Sequence, residues 1–146
     1  MNPDNLPFAN LQLAHMSVEF SMLALAIVLG FVHIFLAAHF VTSERGLIWN
    51  MGARDETKPL ISQLAGRLDR ALANFKETFP LFAVAVLMAA ALGRHNWETM
   101  WGAQAYLAGR IVYLPLYAVG IPFLRTVVWL LATAGIALIL VAIFSG

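Results

Sequence analysis

Two short runs of polar side chains stand inside otherwise apolar sequence. Arg67, Arg70, Asn74 and Glu77 follow one another at intervals of three, four and three residues, and Arg110, Tyr113 and Tyr117 at three and four. At about 100° per residue each set falls on one stripe of an α-helix. Asp69 and Lys76 point elsewhere on the first of these helices, and Arg125 opens a further apolar segment. Ionisable groups inside apolar spans are costly and usually face a bundle interior. If the first striped helix enters a bilayer near Leu68, Glu77 lies nine residues in, about 14 Å deep at 1.5 Å per residue. Arg110 precedes Gly120 by ten residues and lies about 15 Å from the same boundary. A carboxylate and a guanidinium at matched depth predict a contact between Glu77 and Arg110, or a ligand shared by them. A structural ion pair that joins two helices is the simpler account, with the tyrosines in an interfacial belt. Such a pair needs only two groups. The whole set would form a polar pocket with a cation-rich rim.

His33 and His39 are six residues apart, off the spacing of three or four that converges on one ion. Cysteine is absent, so thiolate metal sites, a cysteine nucleophile and disulfides are excluded. No metal site is predicted. His33 is assigned to a hydrogen bond between helices, and Glu19 to capping or snorkelling near the outer interface.

The elements that must position these groups are membrane helices. Of 146 residues, 61% are hydrophobic and 12% charged, with a mean hydropathy of +0.78. Soluble domains average about 45–50% apolar and about 25% charged residues. Composition therefore excludes a disordered chain, a coiled coil and a soluble nucleic-acid binder. The formal net charge of +1 steers no polyanion, so nucleic acid is not an expected partner. Four apolar stretches approach or reach the ~20 residues that cross a bilayer, with spans at about 18–41, 66–92, 98–119 and 123–144. The expected fold is an all-α membrane protein, one domain built as a four-transmembrane-helix bundle. The first stretch is no signal peptide by pattern, because residues 1–20 hold no Lys or Arg.

Arg45, Arg54, Lys58, Arg67 and Arg70 lie between or near the first two spans, whereas only Arg94 lies between the second and third. The positive-inside rule puts the long first loop in the cytoplasm and both termini outside. That loop, with its Gly52-Ala53-Arg54-Asp55-Glu56 turn, reads as a solvated segment or as a lid over a cytoplasmic site. Pro80 and Pro115 lie within spans and predict local kinks. Ala26-xxx-Gly30 and Ala105-xxx-Gly109 permit close helix approach.

The segment Arg70-Ala71-Leu72-Ala73-Asn74-Phe75-Lys76-Glu77-Thr78-Phe79-Pro80 resembles the second-helix signature of the MAPEG family, the membrane-associated proteins of eicosanoid and glutathione metabolism. Arg110-Ile111-Val112-Tyr113-Leu114-Pro115-Leu116-Tyr117 and then Arg125 resemble that family's third-helix stripe and fourth-helix arginine. Leu72, Thr78 and the interval from Tyr117 to Arg125 differ from some branches. The first loop is more similar to bacterial members than to the eicosanoid enzymes.

The resemblance implies a homotrimer of four-helix subunits in a bacterial inner membrane, with periplasmic termini and membrane lipid around it. It implies glutathione as cofactor, bound between subunits near the cytoplasmic side, and a lipophilic small-molecule substrate. Arg67, Arg70, Asn74, Glu77, Arg110, Tyr113 and Tyr117 are the implied cofactor-binding residues, and Arg125 the implied catalytic residue that stabilises a thiolate. The chemistry is consistent. Glutathione has two carboxylates and an ammonium. Arginine's planar fork suits carboxylates, and Glu77 can take the ammonium. A cation at a helix start lowers a thiol's pKa from about 8.5. The expected function is a glutathione-dependent transferase or peroxidase acting on lipophilic electrophiles or hydroperoxides. The alternatives are a non-catalytic structural or accessory subunit of the same fold, and a small conductor lined by Glu77, Arg110 and His33.

Overall fold

A computed structural model describes residues 16–53, 55, 59–60 and 62–145. The N-terminal tail, and Arg54, Glu56 and Lys58 of the first loop, lie outside the described residues. The described chain is helical throughout, in the order α1 (Val18–Arg45), α2 (Leu47–Met51), α3 (Gln63–Ala91), α4 (Trp97–Val119) and α5 (Pro122–Phe144). No strand occurs among the described residues.

Local chemistry sets the helix ends. A helix leaves its first N–H groups without intrahelical acceptors, and a serine or asparagine side chain can supply one. The Ser17 hydroxyl accepts from the Phe20 N–H at 3.3 Å, and the Ser62 hydroxyl from Leu64 and Ala65 at 3.2 and 3.3 Å. Asn96 and Thr99 form a reciprocal capping box at the start of α4. Gly120 ends α4 in the left-handed region at φ 87°, where a Cβ is penalised. Pro122 then takes the first position of α5, where its missing N–H costs nothing. The Glu44 carboxylate accepts from the Ser62 N–H at 3.1 Å and ties the end of α1 to the start of α3 across the first loop.

Three helices are long and apolar enough to cross a membrane: α1, α3 and α5. At 1.5 Å per residue the 23 residues of α5 reach about 34 Å, against a hydrocarbon core of about 30 Å. α4 has the same length but is diluted by Glu98, Gln104, Arg110 and its tyrosines. α1 continues past its apolar run to Arg45, and α3 and α4 run unbroken through Pro80 and Pro115.

α4 and α5 make the most extensive helix contact. Glycines permit it. A Cβ on Gly102 would lie 2.6 Å from the Gly135 carbonyl oxygen, and one on Gly135 would lie 2.5 Å from the Gly102 oxygen. A Cβ on Gly109 would meet that of Ala132 at 2.9 Å. Backbone touches backbone here, which in a lipid environment gains dispersion contacts that large side chains would prevent. At Gly30 a Cβ would press on the Phe75 ring at 3.1 Å, so the first small-residue spacing also lies in a helix contact, between α1 and α3. The core has two parts. One is built on Phe82, Tyr106 and Ile139, and the other, at the arginine-rich end, on Leu68, Ala71, Tyr113 and Leu114. The outer surface is apolar, as shown by exposed Phe35, Leu81, Leu130 and Val141.

Two expectations for α1 are corrected. Glu19 is buried rather than snorkelling: Thr99 donates to its Oε1 at 2.6 Å, and His95 Nδ1 stands 3.7 Å from Oε2. The acid is held because the Thr99 hydroxyl, whose oxygen accepts from the Asn96 N–H in the capping box, still has its proton to give to α1. His33 is buried, but neither ring nitrogen has a hydrogen-bond partner among the described residues. Its ring stacks on Phe75 with centroids 4.8 Å apart, so packing rather than hydrogen bonding holds it.

The α4–α5 contact gives a prediction. Gly135→Leu should force the helices apart and lower stability by about 1–3 kcal/mol or more. Val141→Leu on the exposed face of α5 should change it little. Thermal unfolding in detergent measures both, and equal midpoints for the two variants would contradict the packing account.

Candidate functional site

The site begins with Arg110, which is 1% exposed in the middle of the bundle. A buried guanidinium needs acceptors, and the sequence places them one helix away. Arg110 Nη1 donates to Asn74 Oδ1 at 2.7 Å, and Nη2 donates to Thr78 Oγ1. Asn74 and Thr78 are four residues apart on α3, so both oxygens face α4 from one stripe. Aromatic faces complete the cage. The Arg110 Cζ lies 5.3 Å from the Tyr113 ring centroid and 5.5 Å from that of Tyr106. Its Nε is buried and finds no acceptor among the described residues.

The expected direct contact between Glu77 and Arg110 is not formed within the chain. Glu77 is exposed, about 60° around α3 from Asn74, and lies within electrostatic reach of Arg110 and Tyr113 without bonding to either. A matched depth along two helices does not fix azimuth. The neutral oxygens of Asn74 and Thr78 reach the guanidinium first.

The remaining predicted residues divide between two cavities. A small one of about 160 Å³ is lined by Asn74, Tyr113, Arg125, Thr126 and Trp129. Tyr113 and Tyr117 are in ring contact at 5.4 Å, and the Arg125 guanidinium lies 4.5 Å from the Tyr117 ring centroid. Two rings thus stand between two cations, from Arg110 through Tyr113 and Tyr117 to Arg125. Arg125 stands in the first turn of α5, where unpaired N–H groups add positive potential. The Trp129 indole N–H, about one turn along α5 in the wall of the same cavity, is buried and unpaired among the described residues. The second cavity, about 500 Å³, is lined by Arg45, Gln63, Arg67, Asp69 and Arg70 among others.

Arg67, which lines this cavity, also makes hydrogen bonds within the chain. It donates to the carbonyls of Ala118 and Val119 at 3.2 and 3.0 Å and to Gln63 Oε1 at 3.2 Å. These carbonyls belong to the last turn of α4, which lacks intrahelical donors. Gly120 makes the approach possible, since a Cβ there would lie 2.5 Å from the Arg67 Cζ. Arg70 is exposed and faces the larger cavity, with its Nη1 over Gly66.

Four residues of the site escaped the sequence reading. Thr78 and Tyr106 had a readable signal, because each extends a recognised stripe by one helical turn: Thr78 from Asn74, and Tyr106 back from Arg110. The Tyr106 hydroxyl lies 3.4 Å from Thr78 Oγ1, and its ring stacks on Phe82 at 4.0 Å. Thr126 and Trp129 had none, since their role depends on how α5 lies against α3. Among the described residues no group of His, Asp and Glu side chains is placed to hold a metal ion.

Arg110 supplies the prediction for this site. Thr78→Val removes one acceptor of a buried charge and should destabilise by about 1–3 kcal/mol, whereas Thr78→Ser should retain most of the stability. Unfolding midpoints in detergent test the difference. A larger loss in Thr78→Ser than in Thr78→Val would mean that the threonine methyl, not its hydroxyl, matters.

No curated protein and no solved structure matches the chain. The model of the MAPEG family matches residues 22–145. The matched stretch runs from inside α1 to the end of α5 and contains both polar stripes and Arg125. Together with three helices apolar enough to cross a bilayer, this makes the chain an integral membrane protein that belongs to the MAPEG family.

Proposed function

We propose that the chain is one four-span subunit of a homotrimer in a bacterial inner membrane, with both termini periplasmic. We assign it glutathione binding near the cytoplasmic face, between subunits, and transfer or peroxidase chemistry on lipophilic electrophiles or hydroperoxides. The observation that carries this reading is the set of unneutralised cations. Arg110 and Arg125 rest on tyrosine faces and neutral oxygens, and among the described residues neither forms an ion pair. A pocket with surplus positive charge in an apolar bundle suits an anionic ligand. Glutathione fits the donor set, since its carboxylates match arginine forks and its ammonium needs an acid such as Glu77.

Incomplete enclosure supports assembly. A cavity of about 160 Å³ is smaller than the ~300–1,000 Å³ of typical ligand pockets. Glu77 and Arg70 are exposed on the same flank of α3, above Leu81 and Met88. A charge facing lipid at the bilayer centre costs about 2.5–3.5 kcal/mol on insertion scales. A neighbouring copy would cover that flank and enlarge the cavity into a full site.

Glutathione would supply the sulfur nucleophile. The chain's own groups would prepare it. Arg125 is the group placed to stabilise an anion, because its charge and the start of α5 act together. Tyr117 holds the Arg125 guanidinium in place from below. Asn74 is shared between Arg110 and the cavity, so Arg110 also orients the carboxamide that a ligand would meet. Arg70 stands nearer the start of α3, where a carboxylate would arrive first. The competing reading, a non-catalytic subunit, draws on Arg67 and Arg110, both already engaged in structural hydrogen bonds.

Two predictions follow from the site and its open flank. The purified protein should bind glutathione and show ultraviolet thiolate absorbance, with turnover of a lipophilic electrophile. Arg125→Ala should abolish the thiolate signal and turnover while keeping part of the binding. Arg70→Ala should weaken binding more than saturated turnover. Binding without thiolate or turnover in the unmodified protein would favour the accessory subunit. Separately, the mass of the protein in mild detergent should be that of a trimer, and a strictly monomeric or dimeric species would refute the assembly.

A further inference from the structure

The short helix α2 has an apolar face that nothing in the chain covers. Ile48 is 91% exposed, the highest value for a large apolar side chain among the described residues, and Leu47 and Met51 are exposed beside it. At about 100° per residue these three fall within one arc of about 100°, while Trp49 and Asn50 lie outside that arc and are partly buried. We propose that α2 is an interfacial anchor: Leu47, Ile48 and Met51 insert between the headgroups and acyl chains of the bilayer leaflet at the arginine-rich end.

Depth identifies the partner. Residues 20–41 of α1 contain no Asp, Glu, Lys or Arg. At 1.5 Å per residue they reach about 33 Å, which fills a hydrocarbon core of about 30 Å. The polar turn from Thr42 to Arg45 therefore stands at the headgroups. Gly46, at φ 90°, then breaks the helix. The chain does not run on into water. Asn50 Nδ2 donates to Thr42 Oγ1 at 2.9 Å, which sets α2 beside the last turns of α1 rather than beyond them. Leu47 turns to the outer side of α1, where it borders a groove of about 500 Å³ with Phe35, Ala38, His39, Thr42 and Ser43. Phe35 belongs to the apolar run and is itself exposed, so the groove continues the lipid-facing surface of α1. Acyl chains that cover Phe35 reach Leu47 without a break.

The residue types agree with that level. The Arg45 Cζ lies 4.4 Å from the Trp49 ring centroid. Tryptophan is enriched at membrane–water interfaces, and basic residues flank spans on the inner side. A second copy suits the face poorly, because three side chains on a single turn are far less than the ~800 Å² that each partner buries in a stable protein contact. A leaflet needs no matching shape. Arg45 also lines the larger cavity, so the mouth of that cavity opens at headgroup level beside the anchor. The inference rests on the membrane insertion of α1 and not on glutathione binding or trimer formation.

The test uses the full chain in phosphatidylcholine nanodiscs. The sequence has no cysteine, so a single introduced one carries the only label. A nitroxide is placed at Ile48→Cys and, separately, at Met51→Cys, and its collisions with oxygen and with a water-soluble nickel chelate are measured. Phospholipids labelled in the headgroup and at the top of the acyl chain calibrate depth. Both protein labels should read between the two lipid standards, with nickel collisions several-fold below those of the free label in buffer. Nickel collisions equal to those of the free label would place α2 in water and overturn the proposal. Low collisions with both reagents, together with spin–spin broadening between copies, would show the face covered by a second copy and overturn it too. If the labelled variants fail to fold, Trp49 decides. Phospholipids brominated at the top of the chain should quench the unmodified protein more than Trp49→Phe, and equal quenching would overturn the anchor.

Discussion

A guanidinium buried inside a bundle of apolar helices governs the arrangement of this protein. Taking Arg110 out of water is expensive, and the surrounding structure reduces that cost with oxygens and aromatic faces rather than with a carboxylate. Asn74 and Thr78 must present their oxygens from one side of α3, which fixes the rotation of α3 against α4. Tyr106 and Tyr113 must lie above and below the guanidinium, which they do as neighbours on the same helix face. The use of neutral partners leaves the positive charge in place. A buried salt bridge would have cancelled it, and an anion would then have no reason to enter.

Positioning of that cluster relies on the two helix contacts around it. The turn at Gly120 and Ile121 sets Arg125 over Tyr117, and glycine against glycine keeps α4 and α5 close farther along. Arg67 binds the last carbonyls of α4 to α3 and holds the same end together from the other side. At the opposite end Glu19 joins α1 to the start of α4 through Thr99. Each of these bonds links helices distant in sequence, so the bundle is tied at both ends. The exposed flank bearing Arg70 and Glu77 remains the surface where charge meets the outside.

Much was legible in the residues themselves. Apolar runs and the spacings of three and four followed from periodicity, which is local, and the all-helical fold came with them. So did the motif that marks the family, because it is a pattern along one helix. Asn74, Arg110, Tyr113 and Arg125 could be singled out because polar groups in an apolar helix are rare enough to need a reason. Thr78 and Tyr106 were within reach of the same rule, one turn farther along each stripe.

What the tertiary structure decided was which stripe faces which. Helical periodicity gives the relative angle of two residues on one helix and says nothing of the rotation of one helix about another. Glu77 and Arg110 share a depth, yet α3 is turned so that Asn74 and Thr78 meet the arginine and Glu77 faces outward. Arg67 lies on the predicted stripe, but the end of α4 falls within its reach and takes its hydrogen bonds. His33 and Glu19 depart from expectation for the same reason: the neighbouring helix offers an aromatic ring to one and a hydroxyl to the other. Partner choice depends on packing angles set by glycines and aromatic rings across the whole bundle, and no window of the sequence contains that sum.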